Sequence, residues 1–278
     1  MRYLQIVTVI VFIISILFAG WANSRYYSNL NTDYPQITDS VEFLQISAED
    51  PPEAIFRGLS ASDATDGDLT NQIMVASVSH FLEPGTVQVK YVVFDSHNNS
   101  ATLTRRIHYA DYKAPEFSLE KAPIYTVGRS FDLLQHIQVQ DCIDGDISNN
   151  VRVLSNMVNS YAVGNYPIVL EVSNSCGDTA QITLWVSYLS KESTAVVKLR
   201  QYIVYIQQGT EFDPQQLLEM VVDRDGIALD TANVEIQGSL DTNIPGCYQL
   251  TYSYDDGKLS GSSPLTVVIT ERQDENGR

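Results

Sequence analysis

The feature that most constrains this chain is an internal repeat. Asp63-Ala64-Thr65-Asp66-Gly67-Asp68-Leu69-Thr70 returns as Asp141-Cys142-Ile143-Asp144-Gly145-Asp146-Ile147-Ser148, and in eroded form as Asp223-Arg224-Asp225-Gly226. A second marker keeps the register: Pro84-Gly85 precedes Thr86–Tyr91, Gly164 precedes Asn165–Leu170, and Pro245-Gly246 precedes Cys247–Tyr252. Two unrelated strings with one common spacing of about 80 residues define three tandem modules.

Within each module the hydrophobic period is two. Val87-Gln88-Val89-Lys90-Tyr91-Val92-Val93 and Ala101-Thr102-Leu103-Thr104-Arg105-Arg106-Ile107 alternate around the polar turn Asp95-Ser96-His97-Asn98-Asn99, which reads as a β-hairpin. Module two repeats the hairpin around Asn174-Ser175-Cys176-Gly177-Asp178, and module three around Asp255-Asp256-Gly257. Short helical turns are expected at Phe131-Asp132-Leu133-Leu134 and at Phe212–Leu218, the latter with Asp213 capping and Pro214 at the first position. The expectation is therefore all-β: three small antiparallel sandwiches of the immunoglobulin (Ig) type after an N-terminal helix. The expected boundaries are an anchor at 1–22, a linker at 23–35, modules at 36–110, 111–190 and 191–270, and a tail at 271–278. Set end to end, three such modules would extend on the order of 100 Å.

Charge narrows the partners. A formal net charge of −17 gives no positive face to neutralise phosphates, so nucleic acid and bare anionic lipid are not expected to bind the modules. The uncharged run Leu4–Ala19 behind Arg2 reads as an export signal. Carried through Trp21-Ala22 it nearly reaches the ~20 apolar residues of a spanning helix, with Trp21 as an interfacial aromatic. Gly20-Trp21-Ala22 is a poor cleavage site. The reading is an uncleaved signal anchor with the C-terminal modules extracellular, secretion after cleavage being the alternative.

The order Gly58-x-x-Ala61-x-Asp63-x-x-Asp66-Gly67-Asp68, then Pro84-Gly85 and Tyr91, then Asp95 and Ala101-Thr102-x-Thr104-Arg105, resembles the bacterial Ig-like modules found in tandem on cell-surface proteins and appended to some pesticidal crystal toxins. These are similar to hyalin-repeat and cadherin-like sandwiches. Module two keeps Asp141 through Ser148 and Gly164 but has Asn174 where module one has Asp95; module three keeps the Pro245-Gly246 turn and loses the acidic triplet. The resemblance implies a sandwich fold and a surface setting, and no reaction.

Two kinds of site are expected. Asp63, Asp66 and Asp68, and likewise Asp141, Asp144 and Asp146, cluster carboxylates on glycine-containing turns that could supply oxygens to calcium, with Asp95 or Asn98 and Asn174 or Asp178 from the hairpin turns. The spacing is not that of an EF-hand, and the same residues also serve plain turn chemistry, capping local N–H groups with no ion. Cys142 in the acidic stretch and Cys176 in the hairpin turn are the natural disulfide pair of an exported protein, restraining the unfolded chain by roughly 3–4 kcal/mol. Cys247 has no partner left and is expected to be a small buried side chain.

No nucleophile elbow, phosphate loop or dinucleotide signature is present, and His80, His97, His108 and His136 form no metal spacing, so no enzyme is expected. The functional expectation is an adhesion or spacer protein, calcium serving to stiffen it, whose partner is another surface protein or a polysaccharide. The alternative is a carbohydrate-binding accessory of a separate enzyme or envelope complex. Rows of exposed tyrosine would favour the alternative, and tyrosines buried between the sheets would count against it.

Overall fold

The computed structural model describes residues 2–28, 33–130, 132–192 and 195–272, with side chains of the N-terminal helix described for 11–25. Helix α1 spans Arg2–Ser28. Its described apolar side chains, among them Phe12, Leu17 and Trp21, are all exposed. No helix among the described residues is long and apolar enough to cross a membrane.

Three pairs of sheets follow. In module one, β1 (Gln36–Asp39), β3 (Leu59–Asp63) and β4 (Gly67–Asp68) form one sheet, and β2 (Phe43–Ile46), β5 (Met74–Val78), β6 (Thr86–Phe94) and β7 (Ser100–Tyr109) form the other in the order β2-β7-β6-β5. Module two repeats this with β8 (Glu116–Leu119), β10 (Ile137–Asp141) and β11 (Gly145–Asp146) against β9 (Ile124–Thr126), β12 (Arg152–Asn156), β13 (Gly164–Ser173) and β14 (Thr179–Leu189). Module three does so with β15 (Val196–Leu199), β17 (Leu218–Val222) and β18 (Ala228–Leu229) against β16 (Ile203–Gln207), β19 (Val234–Gln237), β20 (Gly246–Asp255) and β21 (Ser260–Thr270). The hairpins β6–β7, β13–β14 and β20–β21 are antiparallel, whereas β9 and β16 add to β14 and β21 in parallel.

The period of two sets the cores. On β6, Val87, Val89, Tyr91 and Val93 point inward and are essentially inaccessible, and on β13 Ile168, Leu170 and Val172 do the same. Tyrosines belong to this inner set: Tyr91, Tyr188, Tyr252 and Tyr254 are buried, and the Tyr91 and Tyr252 hydroxyls donate to the carbonyls of Ile55 and Pro214. Module one also buries Arg105 within the alternation on β7, two residues before the buried Ile107, where its guanidinium donates to Asp39 at 3.0 Å and to the Arg57 and Ile55 carbonyls, 5.4 Å from the Tyr91 ring. Both expected helical turns are 3-10 turns, Leu133–Gln135 and Pro214–Leu217, and the Asp213 side chain accepts from the Gln215 N–H as its cap. Phe131 lies outside the described residues.

The chain divides into two compact units. One is built on module one; the other contains modules two and three, with Ser47–Glu49 and His80–Gly85. Inside the second unit the end-to-end expectation fails, because the two modules pack flank to flank, β14 against β21. Ile203 of β16 belongs to the core of module two, with Tyr202, Tyr205 and Val268 packed beside it. The Phe117 N–H donates to the Tyr205 hydroxyl at 2.8 Å, and the Cys247 thiol donates to the Thr183 carbonyl. Cys247 is thus an exposed residue whose sulfur turns toward module two, not the small core side chain expected of it. Alternation alone cannot reveal a sheet's outward face that is covered by a neighbouring module.

Candidate functional site

The acidic loops are placed by strand register. On β3 the inward positions are Leu59, Ala61 and Asp63, and on β10 they are Ile137, Val139 and Asp141, so the alternation that fills the core ends by turning a carboxylate inward. The facing sheet does the same. Beyond Val89, Tyr91 and Val93 the next inward residue is Asp95, and beyond Ile168, Leu170 and Val172 it is Asn174. All four are more than nine-tenths buried, at 7%, 2%, 6% and 6% exposure for Asp63, Asp141, Asp95 and Asn174. Gly67 and Gly145 complete the turns with φ of 76° and 72°, a left-handed backbone that favours glycine.

Hydrogen bonds then build one frame twice. Asp63 Oδ1 accepts the N–H groups of Thr65 and Asp66 at 2.8 and 3.0 Å, as Asp141 Oδ1 accepts those of Ile143 and Asp144 at 2.9 and 2.8 Å. Asp66 Oδ2 accepts from the Ser96 N–H, tying the acidic loop to the hairpin turn, and Asp144 accepts from the Ser175 N–H and hydroxyl. In module two the Asn174 amide closes the frame, donating to Asp141 Oδ2 at 3.1 Å. In module one Asp95 stands there instead: its Oδ1 accepts the N–H groups of His97 and Asn99, and its Oδ2 accepts from the Asn99 amide at 2.7 Å. Burial works to raise the Asp95 carboxyl, but the Asn99 amide and the Asn99 and His97 N–H groups outweigh it and hold it below the usual carboxylate range. Asp63 Oδ2 is buried with no hydrogen-bond partner.

Asp66, Asp95 and His97 each bring a ligand atom within 4.8 Å of the others, the one such group of three among the described residues. His97 was missed in sequence because it comes within 4.8 Å of Asp66 only through the meeting of two loops; the available signal was its place two residues after Asp95. Asp68 and Asp146 stand apart from these frames. Each accepts from the N–H of the 3-10 turn that follows, Thr70 and Ser148, and those hydroxyl-bearing residues hold both carboxyls low. In the third copy, Asp223 accepts only local N–H groups, those of Asp225 and Ile227.

All three cysteines are free thiols. Cys142 and Cys176 lie on the two loops that the Asp141–Asn174 and Asp144–Ser175 bonds bring together, and burial is the main force raising both thiols, with Cys142 adding to the rise at Cys176. The Cys142 sulfur donates to the Lys113 carbonyl. Beside them the Tyr112 hydroxyl donates to Asp178, and burial first, then that carboxylate, pushes its ionisation upward.

Residues 201–266, in module three, match the family model described as bacterial surface protein, Ig-like domain. The chain is 28% identical over 223 residues to the pesticidal crystal protein Cry22Aa of Bacillus thuringiensis, a match that takes in 77% of this chain and 30% of the toxin, so the chain spans under a third of that relative. Among solved structures, one similar chain holds the M60 catalytic domain with CBM51-1 and CBM51-2 from Clostridium perfringens ZmpB, at 13% identity, 87% and 31% coverage and a TM-score of 0.25. Another is the lipoprotein BT2262 from Bacteroides thetaiotaomicron, at 13% identity, 84% and 99% coverage and a TM-score of 0.21. The tandem bacterial Ig-like resemblance carried by the acidic turns and the Pro-Gly hairpins stands.

Proposed function

We propose that this chain is a non-catalytic, surface-displayed Ig-like protein that acts as a spacer and adhesion module, tethered to a membrane by α1. The observation that carries the reading is the match of module three to the Ig-like domain of bacterial surface proteins, in a chain that repeats the sandwich three times. The sharing of Ile203 between modules two and three supports a stiff carrier. Tethering rests on the uncharged run Leu4–Ala19 within a helix of 27 residues, Arg2–Ser28. Among the described tyrosines of the strands, the inward ones fill cores instead of forming an exposed row, which counts against sugar stacking as the principal role.

The test is display followed by capture. Bacteria expressing the full chain with a C-terminal epitope are probed intact with antibody, and the purified chain is then exposed to cell-envelope extract and to a glycan panel. Surface labelling with retention of a defined envelope protein supports the reading. A chain that antibody reaches only after lysis overturns display, and retention by glycans alone overturns the protein-partner form.

A further inference from the structure

We propose that module one, alone of the three, holds a divalent cation of the zinc or manganese class between Asp63, Asp66, Asp95 and His97. The inference is independent of surface display and rests on three observations. The first is the convergence of the Asp66, Asp95 and His97 ligand atoms within 4.8 Å. The second is Asp63, 7% exposed, whose Oδ2 is buried without a partner. An unpartnered carboxylate oxygen is expensive to bury, and native sandwiches do not keep one without a reason.

The third is the internal control in module two. There the same inward positions of the two sheets are Asp141 and Asn174, and the Asn174 amide donates to Asp141 Oδ2 at 3.1 Å. By the shared register, Asp63 holds the position of Asp141 and Asp95 that of Asn174. Module two neutralises its buried carboxylate with an N–H donor, while module one has a second carboxylate in the place of that donor. A cation held by the Asp66, Asp95 and His97 ligand atoms would supply module one with the positive partner that the Asn174 amide supplies in module two.

The donor set selects the ion. Calcium takes six to eight oxygens, whereas an imidazole beside carboxylates suits a first-row transition ion. Asp95 and His97 also lie two residues apart on one turn, and the Asn99 amide fixes the Asp95 carboxylate, the kind of supporting bond that orients a ligand.

The test is calorimetric titration of the full chain, stripped by chelator, with zinc, manganese and calcium chlorides in turn. It is repeated on Asp95→Asn and His97→Ala. The expected result is one zinc or manganese ion per chain, with affinity reduced about tenfold or more in each variant. Asp95→Asn reproduces the module-two arrangement, so without metal it is expected to melt no lower than the wild type, and to lose the rise in melting temperature that metal gives. Three results would each overturn the proposal: no saturable binding of any of the three ions, binding that survives Asp95→Asn, or calcium binding that survives His97→Ala.

Discussion

The Asn174 amide donates to Asp141 Oδ2 at 3.1 Å, while in module one the same two inward positions are held by Asp95 and Asp63. One amide-for-carboxylate exchange separates a frame closed by hydrogen bonds from one that leaves a buried oxygen unpartnered. Replacing Asn174 by Leu should therefore strand the Asp141 carboxylate. A loss of about 1–3 kcal/mol is expected, read as a lower urea midpoint for modules two and three with module one unaffected.

Arg105 is the buried cation of module one, paired with Asp39 and two backbone carbonyls. Arg105→Ala removes the guanidinium from Asp39 and from the Arg57 and Ile55 carbonyls, leaving Asp39 with only the Val41 N–H and Ile55 with only the Tyr91 hydroxyl, and breaking a buried pair in this way costs about 3–5 kcal/mol. Calorimetry should show the transition of module one shifted far down or lost. An unchanged transition would mean that the guanidinium is dispensable to the core.

Ile203 lies on β16 but packs in the core of module two. Ile203→Ala should cost about 2–5 kcal/mol and lower the unfolding midpoints of modules two and three together. If module three alone responds, the two are not one cooperative unit.

High pH should weaken the fold in a defined window. Burial first, then the Asp213 charge, pushes the Tyr252 hydroxyl up to about 12. A raised folded-state value means that its contribution is complete below the unfolded tyrosine value of about 10 and is lost as pH climbs toward the folded one. Denaturant midpoints followed upward through that window should fall, and tyrosinate absorbance of the native chain should lag behind that of the unfolded chain.

How much of this was legible in the sequence depends on range. Local alternation placed Val87, Val89, Tyr91 and Val93 in a core, and the spacing of Asp63, Asp66 and Gly67 marked a turn; both are fixed within a few residues. The inward aim of Asp63 and Asp95 was also available, since each continues the alternation of its strand. His97 beside Asp66 and the Tyr205 hydroxyl bound to the Phe117 N–H were not, because they depend on how loops and modules far apart in sequence come together.

The cysteines give a further check. Burial raises the Cys142 and Cys176 thiols, so both should be poor nucleophiles near neutral pH and react slowly with a thiol reagent until the chain is unfolded. Three thiols titrating after denaturation without reductant would match the structure; one alone would mean that the pair oxidises on export.

Strand β16 runs parallel to β21, in register from Ile203 opposite Thr266 to Gln207 opposite Thr270. Tension entering module three along β16 and leaving along β21 would pull those two strands in opposite directions along their length. Their hydrogen bonds would then bear load together instead of parting one by one as in an unzipping hairpin. A protein held at one end and gripped at the other would find in that parallel pair its mechanical clamp.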